Sequence, residues 1–201
     1  MKFVDGIDNN IGKFEYIERD VITTPFFIKD YCDHLISLFE DYGFEIDEDG
    51  NYDLLMSHIN DGNNICNLFL DYIEKYVEPE ILKNWTPTIK NRLWASYPVP
   101  FCKKFSNTGQ NKLKLHNDNS LFTLFIKLND DYGGCETIFP RQNWDLNKIP
   151  VGHLVVFPGS ITHPHFAKKL NWGTKYSLVG RISILLARNN EFDNIRNLML
   201  K

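Results

Sequence analysis

The chain has 201 residues, 43% of them hydrophobic and 14% aromatic, with a formal net charge of −4 and a pI of about 5.9. That is apolar material for one sizeable core, which excludes a disordered chain, and the lack of a basic excess argues against a nucleic-acid backbone as the default partner. Cys32, Cys66, Cys102 and Cys135 are scattered without a CxxC pair, so a disulfide framework or zinc knuckle is not expected and reduced thiols fit best.

The opening MKFVDGIDNN carries acidic residues where a secretory leader needs an apolar run, and no apolar stretch is long enough to span a bilayer. The expectation is a soluble, cytoplasmic protein that makes no use of a membrane. The abundance of Asn, Asp, Ile and Lys points to an AT-rich genome of the kind viruses and phages carry.

In chain order, Ile28 to Tyr42 places apolar residues at Ile28, Tyr31, Cys32, Leu35, Ile36, Leu38 and Phe39, close to the helical period, with Gly43 as the stop. Phe44 to Asp53 is acidic and reads as a loop. Asn63 to Tyr76 forms a second helical stripe, with Pro79 just beyond it. From about Ile89 the rhythm changes. Arg92 to Val99, Lys112 to His116, Leu121 to Leu128, Thr137 to Phe139, His153 to Phe157 and Tyr176 to Ala187 are short β-branched or aromatic runs separated by Gly, Pro, Asn and Asp. The segment Pro98 to Gln110 reads as a loop and a candidate lid, and Phe192 to Leu200 as a short closing helix. The whole suggests a mainly β protein, a jelly roll with N-terminal helices packed on one sheet. In this reading residues 1–88 are a helical support region and 89–190 the jelly-roll core of a single domain.

Two residues at i and i+2 on an extended chain share a face, so His116 and Asp118 in HND can converge on one ion. THPH, from Thr162 to His165, supplies a further imidazole after a strand and a Pro-Gly turn. Two His and one carboxylate leave three metal positions open, the arrangement of non-haem Fe(II) oxygenases. Lys175 follows His165 by ten residues and could pair with the distal carboxylate of a dicarboxylate cosubstrate. Arg181 shares the strand parity of Lys175 and reads as either an ion-paired strand residue or a second carboxylate contact. His34, His58 and His153 read as structural or rim residues, and Trp144 and Trp172 as core or groove residues.

LHNDNSLFTLFIKLN, DYGGCETIFP, FPGSITHPH and GTKYSLVGRIS together resemble the catalytic domains of procollagen prolyl 4-hydroxylases and, still more, of the lysyl hydroxylases. The motifs come in the family's order with similar gaps, over less than half of the chain. FFIKDYCDHLISLFE resembles the helix that opens many such domains. The resemblance implies a double-stranded β-helix, Fe(II), 2-oxoglutarate and O2, with ascorbate as a further candidate. It places His116 and Asp118 at the first two metal positions and selects His165 over His163 for the third. Lys175 falls at the position of the basic residue that binds the 5-carboxylate of 2-oxoglutarate. Tyr97 and Thr123 fall at positions lining the cosubstrate pocket. Phe125 departs from the lysyl hydroxylases, which carry a polar residue there. The implied activity is hydroxylation of an unactivated C–H bond, on a prolyl or lysyl side chain of a peptide or protein. The rival readings are an oxygenase acting on a small molecule or nucleobase, a non-catalytic jelly-roll binding module, and a cupin-like zinc or manganese enzyme.

Overall fold

The computed structural model describes residues 1–46, 50–85, 95–96 and 99–184. Strands β1 (Glu15–Glu18) and β2 (Val21–Pro25) precede helix α1 (Lys29–Tyr42), and β3 (Asp53–Leu55) leads to helices α2 (Gly62–Tyr72) and α3 (Glu78–Trp85). Then come β4 (Ala95–Ser96), β5 (Phe101–Ser106), β6 (Leu113–His116), β7 (Phe122–Lys127), β8 (Tyr132–Gly134) and β9 (Thr137–Phe139). The last are β10 (Trp144–Asp145), β11 (His153–Pro158), β12 (His165–Ala167) and β13 (Leu170–Ile184).

The large sheet runs β1-β2-β11-β7-β13-β5-β3, with β4 and β8 also pairing β13, and a smaller sheet runs β10-β9-β12-β6. All the pairings among the described strands are antiparallel. This is the expected mainly β jelly roll with helices on one sheet.

Residue parity explains how the layers form. On the large sheet Ile22, Cys102, Phe122, Leu124, Ile126, Leu154, Val156, Leu178 and Ile182 join the cluster that includes Leu35, Phe39, Phe69 and Ile73 of the helical layer. Their odd-numbered neighbours Val21, Phe125, Val155 and Phe157 pack instead with Phe139 and Trp144 of the small sheet. Successive strand side chains point to opposite faces, so even positions meet the helices and odd positions meet the second sheet. The central strand β7 is buried at every position, which is why FTLFIK lacks a clean alternation.

Helix α1 buries Tyr31, Cys32, Leu35 and Phe39 as one stripe and ends where the Gly43 N–H donates to the Phe39 carbonyl. The second helical region is longer than the sequence suggests. Ile65, Phe69, Ile73, Val77 and Ile81 are all buried at four-residue intervals. In a pure α-helix each such step rotates the stripe by about 40°. A π-helical turn at Ile73–Val77 widens the coil and keeps the stripe facing the sheet. Pro79 is therefore not a stop: it is the second residue of α3, where a missing N–H is tolerated.

Two further expectations are corrected. The N-terminal stretch is not purely helical, since β2 pairs with β11 and β3 pairs with β5 inside the large sheet. The candidate lid contains β5, a strand held between β13 and β3, with Cys102 fully buried. Two lysines in FCKKFS disguised it: Lys103 is buried against Asp53 at 2.8 Å and Lys104 pairs with Glu40 at 2.7 Å. Most of Arg92 to Val99, the end of Tyr176 to Ala187 and the closing helix at Phe192 to Leu200 lie outside the described residues, as does the division near Thr88.

Candidate metal centre and its cavity

His116 ends β6 and His165 begins β12, and the two are direct cross-strand partners. That pairing brings imidazoles 49 positions apart in sequence to 4.4 Å between ring centroids. Asp118 lies just past β6, where its N–H donates to the Gly159 carbonyl at 3.1 Å. Its carboxylate sits 3.6 Å from His116 Nε2 and 3.7 Å from His165 Nε2. One ligand atom from each residue falls within 4.8 Å of the other two.

The ring tautomers are fixed by backbone carbonyls, which only accept. His116 Nδ1–H donates to Lys114 O at 2.9 Å and His165 Nδ1–H to His163 O at 3.0 Å. Both Nε2 lone pairs are thereby turned to the same point, the usual way an outer partner orients a metal-binding imidazole. Asp118 accepts from Thr123 Oγ1 at 2.6 Å, and the Ser120 hydroxyl contacts Thr123 at 3.0 Å. Phe139 and Phe157 flank His165, with ring centroids at 5.1 and 5.5 Å. The donor set suits a hard or borderline divalent ion with open positions.

His163 stands outside this group. Its ring is buried, Nε2–H donates to the Arg19 carbonyl at 3.2 Å and Nδ1 accepts from the Thr162 hydroxyl at 2.9 Å. Both of its nitrogens are occupied in fastening the turn to the β1–β2 connection.

The three residues open onto a cavity of about 240 Å3 between the two sheets. Thr123, Phe125, Ser177, Val179 and Arg181 line its large-sheet wall, and Asn51, Asp53, Phe101 and Lys103 line the wall nearer β3 and β5. Lys175 lies behind this lining at 2% exposure. Its Nζ donates to Cys135 O and to Thr137 Oγ1, both at 2.8 Å, and Thr137 itself faces the cavity. No carboxylate pairs with it among the described residues, and three aromatic rings, Phe105, Phe125 and Tyr132, stand about it at 5.6–6.0 Å. Tyr97 lies outside the described residues.

No family model matches the chain. It is 28% identical over 187 residues to human procollagen-lysine,2-oxoglutarate 5-dioxygenase 2, covering 81% of this chain and 23% of that protein. To the chicken procollagen-lysine,2-oxoglutarate 5-dioxygenase 1 it is 29% identical over 181 residues, covering 81% and 24%. Among solved structures, the viral collagen prolyl hydroxylase of Paramecium Bursaria Chlorella virus-1 in its 2OG complex superposes with a TM-score of 0.60 at 18% identity, covering 83% of this chain and 96% of that one. A Pseudomonas putida prolyl-4-hydroxylase gives 0.60 at 14%, covering 84% and 94%. The chain is homologous to the procollagen lysyl hydroxylases and has the fold of the 2-oxoglutarate–iron oxygenases. It spans under a quarter of the length of the curated lysyl hydroxylases it matches.

Within this oxygenase fold the titrations of the three residues differ by cause. The nearby Asp118 carboxylate raises the His116 pKa against the opposing effect of burial. Burial dominates at His165 and lowers it. Burial alone would raise the Asp118 carboxyl, but His116, the charge of His165 and the Thr123 hydroxyl together hold it below the ordinary carboxylate range. Burial pulls Lys175 from 10.5 down to about 8.

Several residues that line the cavity carried no motif signal in the sequence. Ser177 shares the parity of Lys175 and Arg181 and lines the cavity with a buried, unpartnered hydroxyl, a position that counting along β13 by twos would have flagged. Asn51, Asp53 and Lys103 carry no motif and are recognisable only once β3 pairs with β5. Trp144 packs on Phe139 at 5.4 Å in the core between the sheets, and Trp172 is exposed on the outside, so neither lines this cavity.

Proposed function

We propose that the chain is an Fe(II)- and 2-oxoglutarate-dependent hydroxylase. His116, Asp118 and His165 would hold the ferrous ion and Lys175 would bind the distal carboxylate of the cosubstrate. The observation that carries this reading is the conjunction of two features: a set of two Nε2 atoms and a carboxylate opening on a cavity, and, behind the cavity wall at Thr137, a buried lysine that makes no ion pair with a carboxylate among the described residues. A carboxylate at Lys175 would supply the missing charge and restore its protonated form. A jelly-roll module without catalysis has no use for that lysine, and a zinc cupin has no use for a dicarboxylate.

The ion and cosubstrate, held by these residues, would supply the oxidising chemistry: O2 and 2-oxoglutarate would give succinate and CO2, one oxygen atom entering succinate and the other the substrate C–H bond as a hydroxyl. The protein's own part is positional. Asp118 would offset the ion's charge, and the Thr123 hydroxyl orients its carboxylate. Phe139 and Phe157 keep water from the back of His165. Phe125 and Val179 make the passage from the metal residues to Lys175 apolar, which strengthens the lysine–carboxylate attraction. Thr123 thus acts on the metal carboxylate in this reading, and a cosubstrate contact is left to Thr137 and Lys175. Ascorbate is expected to prolong turnover by keeping the ion ferrous.

The homology with lysyl hydroxylases and the fold shared with prolyl hydroxylases support a prolyl or lysyl side chain of a peptide or protein as substrate. The test is the stoichiometry of succinate release. Succinate should form only with Fe(II), 2-oxoglutarate and O2 together, and His165→Ala should abolish it. Succinate formed at an undiminished rate by His165→Ala, or substrate oxidation that continues without 2-oxoglutarate, would contradict the proposal.

A further inference from the structure

Among the described residues, the charges around the cavity do not all have ion-pair partners. Lys103 is matched by Asp53 at 2.8 Å and also donates to Asn51 at 3.1 Å. Asp118 faces the two imidazoles. Lys175 is reserved for the distal carboxylate in the hydroxylase reading, on which this inference rests. Arg181 is left over. It lines the cavity, its guanidinium lies 5.3 Å from the centroid of the Phe101 ring, and its buried Nε–H has no hydrogen-bond partner. No carboxylate lies within ion-pair distance of it among the described residues.

Its place in the fold separates it from the cosubstrate's lysine. Arg181 and Lys175 are six residues apart on the same face of β13, so their Cα atoms are about 20 Å apart along the strand. Lys175 is anchored at Thr137, which pairs with Ala167 of β12. Arg181 is opposite Thr123, whose hydroxyl holds Asp118. The metal residues thus flank the Arg181 end, and Lys175 closes the other. A cosubstrate that chelates the metal and reaches Lys175 has no carboxylate to spare for Arg181. A half-buried guanidinium, set over the Phe101 ring and with an Nε–H that has no partner, is suited to receive a planar oxyanion in two-point contact.

We propose that Arg181 is a specificity-determining residue that binds a carboxylate of the substrate, and that the substrate is an acidic peptide with Asp or Glu beside the hydroxylated residue. The same cation repels a peptide whose neighbours are basic.

The experiment uses the Fe(II)-loaded protein with 2-oxoglutarate and short capped peptides in which Pro or Lys is flanked by Glu, by Gln or by Lys. Peptide-stimulated succinate formation is measured. Glu-flanked peptides are expected to show a KM at least about tenfold below their Gln-flanked counterparts, a factor in the range of one charge-assisted contact, and Lys-flanked peptides to be weakest. Arg181→Gln should erase the difference between Glu and Gln, and Arg181→Lys should keep part of it. Equal or better response to Gln or Lys flanks, no response to any peptide above the peptide-free rate, or a Glu preference that survives Arg181→Gln would overturn the inference. So would a tenfold loss of 2-oxoglutarate affinity in Arg181→Gln, which would assign the residue to the cosubstrate. Failure of the wild type to bind 2-oxoglutarate at the metal would sink the hydroxylase reading itself, an outcome separable from all of these.

Discussion

An ammonium at 2% exposure whose two resolved partners are both neutral is costly to keep, and Lys175 shows the cost as a pKa pulled down to about 8. Two predictions follow at this residue. Lys175→Met should fold at least as stably as the wild type, because an apolar side chain of similar volume replaces a desolvated cation. Yet its 2-oxoglutarate affinity should fall by about 2–5 kcal/mol, at least about 30-fold, as read by calorimetric titration of the metal-loaded protein. The pH dependence has a definite sign. Cosubstrate binding needs the protonated lysine, so affinity in the metal-loaded protein should fall about tenfold per unit as the pH rises above 8. The ligand-free fold should do the opposite. Its unfolded state holds the proton up to the ordinary 10.5, so stability should rise with pH between about 8 and 10.5. The histidines give a third contrast. His165→Ala should cost at least about 100-fold in metal affinity, whereas His163→Ala should retain the metal and lower the melting temperature, since its ring fastens the turn to Arg19. The opposite pattern would reverse the assignment.

At the scale of elements, the site depends on how closely the turn after β11 approaches the turn after β6. Gly159 N–H donates to the Leu121 carbonyl at 3.0 Å, and its own carbonyl accepts from Asp118. A Cβ there would fall 2.6 Å from the Ser120 carbonyl oxygen and nearer still to its hydroxyl. Gly159→Ala is therefore expected to push the Asp118 turn away. It should weaken metal binding at least about tenfold while lowering stability by roughly 1–3 kcal/mol, measured by metal titration and denaturant unfolding on one sample. Unchanged metal affinity would show that Asp118 is not held by this turn. The sequence exposed this element only as a motif. His116 and Asp118 were legible because i and i+2 share a face, and the strands at β7, β9 and β11 because apolar and β-branched residues fill them. β5 was hidden by its lysines, one buried against Asp53. β1 to β3 were hidden by brevity, since runs of three to five residues carry too few turns of the period to be told from loops. The π turn was hidden because a four-residue spacing of apolar residues looks helical whichever coil it follows.

For the molecule as a whole, the even-out, odd-in parity of the large sheet joins the helical layer and the cavity wall through the same strands. Leu124 and Ile126 meet the helical layer while Thr123 and Phe125, their immediate neighbours, face the cavity. Truncating the outer residue should therefore be felt inside. Leu124→Ala should destabilise by roughly 2–5 kcal/mol and loosen the hold of Thr123 on Asp118, which thermal melts with and without metal would register. No described helix is long and apolar enough to cross a membrane. Ligand linkage acts on the same unit. With 2-oxoglutarate at about a hundredfold its Kd, the metal-loaded native state gains about 2.7 kcal/mol, and the gain should vanish in Lys175→Met. The most direct test of the central claim is to add Fe(II) anaerobically, titrate in 2-oxoglutarate and follow the visible charge-transfer band of the chelate. The account predicts a saturable band in the wild type, absent in His165→Ala and requiring far more 2-oxoglutarate in Lys175→Met. A folded, iron-loaded wild type that gives no band would contradict it.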